Sequence, residues 1–598
     1  MEGAQADRSG SFLNVERSCG GKRWRPRLSD DRAALAISQQ LDLPDALGRI
    51  LAARGVDVAG AEAFLDPKLR DLLPDPSHLL GMDRAVERIV AAINAGEKVG
   101  VFADYDVDGA CSGSLLARFF AAIGREVTVY VPDRIAEGYG PNTPALLKLK
   151  DEGVSLVITV DCGTTAFGPL ADAAAAGLDV VVVDHHVAEP ELPDAVAVVN
   201  PNRLDETSTV GQLCAAGVVF LVIIAVNRAL REAFWYGEGH NEPNLMEWLD
   251  LVALATVADV VPLTGVNRAL VRQGLVVMAR RGNPGITALA DIAKLEEKPE
   301  AWHLGFMLGP RVNAGGRVGD AGLGVKLLTT NDRDAAVGIA VRLDQYNAER
   351  REVEAAVLDD AMAQAERQAS DDTPLILVAS EGWHPGVIGI VAGRIKETYN
   401  RPACVVAIEG GLGKGSGRSV PGVALGPAVI AAHQAGLLIN GGGHAMAAGF
   451  SVAEDKIADF RMFLAEHISR QLAGERLAPD IGIDGALSPE GATVELIEML
   501  DAAGPFGAGN PRPRFVLPAV SPINARIVGT DHVSCFLAPP EGGTRLKAIA
   551  FRAAGTPAGE ALLNARGGVV HVAGHLNIDT WQGNRKPQFI IEDVAHVI

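Results

Sequence analysis

The alternation of apolar and polar positions changes character three times along the chain. From about Val99 to Asp259, short runs rich in Val and Ile alternate with helical stretches, the βαβ pattern of a parallel sheet covered on both faces. Val99–Ala103, Leu156–Val160, Val180–Val183 and Val196–Val199 are the strand candidates, each apolar at successive positions as a doubly covered strand requires. Residues 332–370 read differently: rich in Ala, Arg, Glu and Asp, without proline, and with Gly338 alone of its kind. Asn331 or Asp332 stands where a helix cap belongs. One helix of that length would run about 55 Å as a strut between domains; two shorter helices in one bundle would satisfy the same composition. From Leu375 a second α/β pattern begins, with a strand at Leu375–Ala379, a helix near Gly386–Thr398, a strand at Ala403–Ile408 and a closing Gly441-Gly442-Gly443-His444.

Beyond about residue 480 the texture is short β runs separated by turns: Ala525–Val528, Val533–Leu537, Lys547–Phe551, Val569–Ala573 and Gln588–Ile591. Five such runs suggest a small barrel of the OB type. The expected architecture is α/β: a parallel-sheet domain (76–330), a connecting long helix (331–370), a smaller α/β domain (371–475) and a C-terminal OB-like β-barrel (476–598). A polar leader (1–30), rich in Arg and expected to be mobile, and a helical segment (31–75) precede them.

Composition trims the possibilities. The 598 residues fit three or four domains. Lys plus Arg number 54 and Asp plus Glu 74, a net charge of −20, which gives no support to a globally basic nucleic-acid binder. Residues 502–598 nevertheless carry nine Lys/Arg against six Asp/Glu, a balance of +3, and Phe506, Phe515 and Trp581 offer faces on which a base could stack. Six scattered cysteines without a C-x-x-C pair argue against a disulfide framework or thiolate zinc site and fit a reducing cytoplasm. The most apolar run, Leu213 to Val226, is 14 residues, short of the ~20 a membrane span needs.

The chemistry is concentrated in the acids. Asp104, Asp106 and Asp108 follow the first strand candidate, Asp161 ends the next, and Asp184-His185-His186 ends the one after. Open parallel sheets gather functional groups at the carboxyl ends of their strands. Close carboxylates repel one another unless cations intervene, and oxygen donors with one or two imidazoles suit Mn²⁺ or Mg²⁺. Two such ions clamp a phosphoryl group and activate water. Taken singly, the Asp104–Gly109 run reads as a calcium loop, although no acid follows to complete an EF-hand, and Asp184-His185-His186 reads as a cap or core pair.

In order along the chain, these motifs resemble those of the DHH phosphoesterase family, whose triplet stands here as Asp184-His185-His186. The resemblance extends through Pro132-Asp133-Arg134, Glu137-Gly138-Tyr139-Gly140, Ala258-Asp259-Val260, Leu308-Gly309-Pro310-Arg311-Val312-Asn313, Trp383-His384-Pro385-Gly386, Gly415-Ser416-Gly417-Arg418-Ser419, Gly441–His444 and Pro505-Phe506-Gly507. It implies a DHH catalytic domain, a DHH-associated domain and two-metal hydrolysis of phosphodiesters at the 5′ end of single-stranded DNA, releasing mononucleotides in recombination and repair. By resemblance, Asp104, Asp106, Asp108, Asp161, His185 and Asp259 hold two Mn²⁺ or Mg²⁺ ions with Asp161 as bridge. Asp108, Asp161, His185, His186 and His444 then serve catalysis. Arg134, Tyr139, Arg311, Arg317, Ser416, Arg418 and His444 contact the strand, Tyr139 by stacking and the arginines through phosphate. The resemblance also implies a helicase and a single-strand-binding protein as partners, a monomer, a cytoplasmic location and no membrane. The competing expectation is a phosphodiesterase of the same family acting on short oligonucleotides or cyclic dinucleotides.

Overall fold

The computed structural model describes residues 10–598 apart from 238, 371–372, 474–476, 478, 566, 581–582 and 598. Two compact units emerge, one comprising Leu73–Leu477 and the other the N-terminal 72 residues together with Ala478–Ile598.

The larger unit opens with a five-stranded, fully parallel sheet in the order Val127–Tyr130, Val99–Ala103, Leu156–Val160, Asp179–Val183, Ala197–Val199. Four strands coincide with the Val-rich runs. The fifth, Val127–Tyr130, escaped the apolar pattern because it is a four-residue edge strand, half-buried at every position. After Val99–Ala103 the chain turns to one side of the sheet and then crosses to the other. The reversal therefore falls between the first strand and Leu156–Val160, and the crevice beyond their carboxyl ends is where such sheets bind ligands. The 14-residue apolar run lies in the helix Ala215–Glu232, whose face is buried almost throughout; among the described residues no helix is long and apolar enough to cross a membrane.

Arg333–Gln368 is one helix of 36 residues, capped by Asp332, whose side chain accepts from the N–H groups of Asp334 and Ala335. Its buried positions (Ala336, Ala340, Leu343, Asn347, Glu354, Val357, Ala361, Ala365) recur every three, four or seven residues, the stripe of a helix packed along one side. The early part meets Pro284–Ile292 and Gly309–Val318 and the late part meets Ile388–Tyr399 and the strand Ile376–Glu381, so it does join two α/β halves. The second half has a mixed sheet in the order Asn440–His444, Ala447–Ala453, Leu412–Arg418, Ala403–Glu409, Ile376–Glu381, with only the last pair parallel.

In the smaller unit, the strand Phe515–Val528 pairs with His532–Ala538 on one side and Val570–Asp579 on the other, and Lys586–His596 pairs with both Leu546–Ala550 and Val570–Asp579. Each expected β run lies within or against one of these strands. The first is much longer than expected, because Pro518 and Pro522 disguise its beginning. Phe515 is a core residue, not a stacking face. Phe506 lies under Arg512, 5.4 Å from ring centroid to guanidinium, and Trp581 lies outside the described residues.

The leader is the clearest departure from expectation. Arg23–Pro26 is a strand paired in parallel with Asp480–Ile483, and Trp24 is fully buried with its indole N–H donating to Asp593 at 2.8 Å. A single large aromatic with its polar handle satisfied anchors a segment whose composition reads as mobile. Residues 1–9 of the leader lie outside the described residues.

Candidate functional site

Three strand ends deliver acids by the same local device. Asp104 follows Val99–Ala103 and its N–H donates to the Val160 carbonyl (3.2 Å). Asp161 follows Leu156–Val160 and donates to Val183 (3.1 Å), and Asp184 follows Asp179–Val183 and donates to Val199 (3.1 Å). Each acid thus extends the ladder by one step before the chain turns away. Asp161 adopts a left-handed backbone, φ 62°, a conformation costing an L residue about 1 kcal/mol or more.

Asp106 caps the helix Val107–Ala122, its Oδ1 accepting from the N–H groups of Asp108 (2.8 Å) and Gly109 (3.1 Å). Asp108 therefore stands in the first turn, where its two oxygens accept from Ala215 N–H (2.7 Å) and Ala216 N–H (2.8 Å), the opening amides of the helix Ala215–Glu232. Gly109 is required here, since a Cβ would lie 2.3 Å from the Asp104 carbonyl oxygen. Asp259 ends the helix Leu249–Ala258 and turns toward the same place.

These residues converge. Three overlapping sets bring their donor atoms within 4.8 Å: Asp104, Asp106 and Asp161; Asp108, His185 and Asp259; Asp161, His185 and His186. His185 Nε2 lies 3.4 Å from Asp161 Oδ1, 3.6 Å from Asp259 Oδ2 and 3.8 Å from Asp108 Oδ2. It is buried without a hydrogen-bond partner among the described residues, as is Asp104 Oδ1. Burial, then the neighbouring carboxylates, push Asp161 and Asp104 well above the usual carboxylate range and lift Asp259 to about 8. Buried acids and an imidazole crowded at these distances, with orphaned donor atoms, are destabilised as they stand. Hard divalent cations relieve all of this at once, and the oxygen-rich donor set fits Mn²⁺ or Mg²⁺.

Asp184 plays a different part. Its Oδ1 accepts from the backbone N–H groups of His185 (2.7 Å) and His186 (3.2 Å) and meets His186 Nδ1 at 2.8 Å, while Oδ2 accepts from Thr164 N–H at 3.0 Å. Burial would raise this carboxyl, but those bonds hold it well below the usual range. Burial alone would lower His186; the Asp184 contact outweighs it and carries the imidazole to about 9. Asn200 and Asn202, beyond the strand Ala197–Val199, donate to the His186 (2.8 Å) and His185 (2.5 Å) carbonyls. They were missed in the sequence, although the same strand-end rule that found the acids points to them. Tyr139 donates its hydroxyl to the Asp161 carbonyl at 3.0 Å, and its ring meets His186 edge-on at 5.7 Å.

The second α/β half contributes His444, whose ring faces His186 at 6.4 Å, and Arg418, which joins Arg134 and Arg317 of the first half in a set of cations. Arg317 donates to the Gly386 carbonyl at 2.9 Å, Arg418 Nη1 reaches Ser416 Oγ at 3.4 Å, and Arg134 stacks on Tyr105 at 5.0 Å. Burial and the neighbouring Arg134, Arg350 and Arg418 lower Arg317 to about 10, and burial and Arg134 lower Arg418. Guanidinium groups that depress one another call for an anion between them. Arg311 does not join this set: it pairs with Asp344 of the long helix at 2.8 Å and donates to the Met307 carbonyl at 2.6 Å. The glycine-rich run Leu412–Arg418 is not an open loop. It is a strand paired on both edges, in which Gly413, Gly415 and Gly417 make room for Val406, Phe450 and Leu425, and Lys414, Ser416 and Arg418 take the opposite face.

Known proteins resemble this chain along most of its length. Residues 98–256 match the DHH family N-terminal domain, 372–470 the DHHA1 domain and 483–593 the RecJ OB domain. The single-stranded-DNA-specific exonuclease RecJ of Dickeya dadantii is 38% identical over 566 residues, 92% of this chain and 96% of that protein. That of Salmonella typhimurium is 37% identical over 590 residues, 96% of this chain and 99% of that protein. The crystal structure of RecJ from Thermus thermophilus in complex with Mn²⁺ superposes with a TM-score of 0.78 at 29% identity, covering 95% of this chain and 78% of that one.

Proposed function

The chain belongs to the family of single-stranded-DNA-specific exonucleases RecJ, and on that premise we propose that it removes mononucleotides from the 5′ end of single-stranded DNA by metal-dependent phosphodiester hydrolysis. Asp104, Asp106, Asp108, Asp161, His185 and Asp259 would hold two Mn²⁺ or Mg²⁺ ions. Asp161, present in two of the three donor sets, is the natural bridge. Bound there, the ions supply an acidified water and neutralise charge on the phosphoryl oxygens. The protein's own groups do the rest. Asp184 fixes the His185–His186 backbone, so the imidazoles keep their aim without reorganising. His186 and His444 face each other beside the acids and donate to phosphoryl oxygens. Tyr139, anchored through its hydroxyl, supports a base with its exposed ring. Arg134, Arg317, Ser416 and Arg418 take the terminal phosphate and so select the 5′ end.

The observation that carries the reading is the set of orphaned, mutually repelling donor atoms around His185 and Asp104 beside guanidiniums that repel one another. The C-terminal OB domain, matched as such, favours a long strand over a dinucleotide substrate. The working context is cytoplasmic recombination and repair, where a helicase and a single-strand-binding protein would present the strand to a monomer of this enzyme. Incubating end-labelled single strands with Mn²⁺, with 5′ and 3′ labels compared and a duplex control, tests this. Immediate release of the 5′ label as mononucleotide supports it. Release of the 3′ label first, undiminished activity in chelator, or faster cleavage of a dinucleotide than of a long strand overturns it.

A further inference from the structure

The segment that follows the helical bundle of the first half contains a local irregularity which the metal chemistry does not use. Between the short helix Ala301–His303 and the helix Gly309–Val318, residues Leu304–Leu308 form a single π-helical turn. Such turns carry an extra residue, cost stability relative to a regular helix and cluster at functional sites. This one is pressed against the metal-ligand scaffold. A Cβ on Gly305 would meet Val257 at 3.4 Å and one on Gly309 would meet Ala258 at 3.3 Å, the last residues before Asp259. The Gly309 position also approaches Val107, between Asp106 and Asp108, at 3.9 Å. Further along the same helix, Asn313 accepts from Val107 N–H at 3.1 Å.

The turn is braced from outside. Arg311 donates to the Met307 carbonyl and is itself held by Asp344 of the long helix. This gives Arg311 a task although it stands apart from the other arginines. What the braced turn displays is Phe306, 80% exposed, and next to the packed seam stands Val260, 70% exposed and in a left-handed backbone with φ 61°. Two large apolar side chains held in water beside the segment that carries Asp259, one by a strained residue and one by a π turn, are expensive unless something covers them.

We propose that Phe306 is a stacking platform for one nucleobase of the bound single strand, that Val260 flanks it, and that the π turn braced by Arg311 sets its position. The occupant follows from the neighbourhood. A phosphate seated at the Asp259 and Asp106–Asp108 cluster carries a sugar and base within reach of the adjoining surface, and an aromatic face takes any base without reading its identity. This rests on the proposed function, since it needs a single strand in the cleft.

The test is a double-mutant cycle between protein and DNA. Wild type and Phe306→Ala are compared on single strands in which an abasic site is moved stepwise from the 5′ terminus, with kcat/KM measured in Mn²⁺. Phe306→Ala should lower kcat/KM roughly tenfold on intact strands. At one abasic position the wild type should fall by the same factor and the variant no further, while Phe306→Trp retains activity on intact DNA. Hydrolysis of bis-p-nitrophenyl phosphate should be unchanged in Phe306→Ala, which shows the metal cluster intact. Additive losses at every abasic position, or unaltered kcat/KM in Phe306→Ala, would overturn the stacking role. A wild type inert on single strands would instead overturn the proposed function itself. As a second reading, Arg311→Lys should weaken the abasic-site discrimination without altering Mn²⁺ affinity; loss of metal binding there would refute the bracing role.

Discussion

The two α/β halves of the larger unit solve the same problem in different ways. In the first, functional side chains sit one residue beyond parallel strands, at Asp104, Asp161 and Asp184, and a reversal of strand order gathers them. In the second, they sit along the face of a strand in a mixed sheet, at Ser416 and Arg418, and alternation with glycine lets that strand pack. A strand end is a place the chain must turn, so a polar residue there is conspicuous against the apolar run before it. A strand face is defined only by its partner. The first site is therefore written locally, while the second exists only once Phe450 and Leu425 have filled the glycine side.

That contrast is open to direct attack. The largest effect is expected in the first half: Asp161→Asn should lower exonuclease turnover on the order of a thousandfold. In metal-free buffer the same variant should melt higher than wild type, because it removes a buried carboxylate that its neighbours repel. Thermal melts with and without Mn²⁺ read both, and a metal-dependent rise in Tm that survived the substitution would refute the ligand role. In the second half, Arg418→Ala should cost about ten- to a hundredfold in kcat/KM on 5′-phosphorylated strands and much less on 5′-hydroxyl strands. Equal losses on both ends would detach Arg418 from the terminal phosphate. Gly415→Ala probes packing alone, since its Cβ would fall 2.0 Å from the Phe450 ring. A loss of about 1–3 kcal/mol in denaturant unfolding is expected, with Mn²⁺ affinity of the folded protein unchanged.

The smallest effect comes from a carboxylate paired with cationic side chains, where the metal-side acids face one another. Burial would raise Glu592, but bonds to His575 and Arg514 take it down to about 2. A carboxyl depressed on folding contributes stability above its unfolded pKa near 4.5, and that stability is lost as pH falls toward 2. Glu592→Gln should therefore destabilise by about 1 kcal/mol at neutral pH after solvent screening. The difference should vanish in acid, as urea melts across that range would register.

Much of this was legible in the residues. The Val-rich runs located four strands of the parallel sheet, and composition marked the helical stretch at 332–370, which the structure resolves as one helix of 36 residues rather than two. Asp104, Asp161 and Asp184 were found because each interrupts an apolar pattern at a strand end, whereas Asp259, at the end of a helix, was reached only through the resemblance. Arg311 shows the limit: an arginine in a functional motif reads as a phosphate ligand until Asp344, 33 residues away, is seen to claim it. Trp24 shows the same limit in a segment of low hydrophobicity, because one long-range partner, Asp593, decides whether it is anchored.

Local chemistry therefore determined the secondary elements, the acids that call for a cation, and the family. Those depend on periodicity and on residue type, which neighbours in sequence express. Only the tertiary structure decided which imidazole is left unpartnered among three carboxylates, which arginines repel one another and which are spent on the scaffold, and that a glycine run is a strand. The reason is physical: burial, pairing and charge coupling are properties of atoms brought together from distant positions, and no window along the chain contains them.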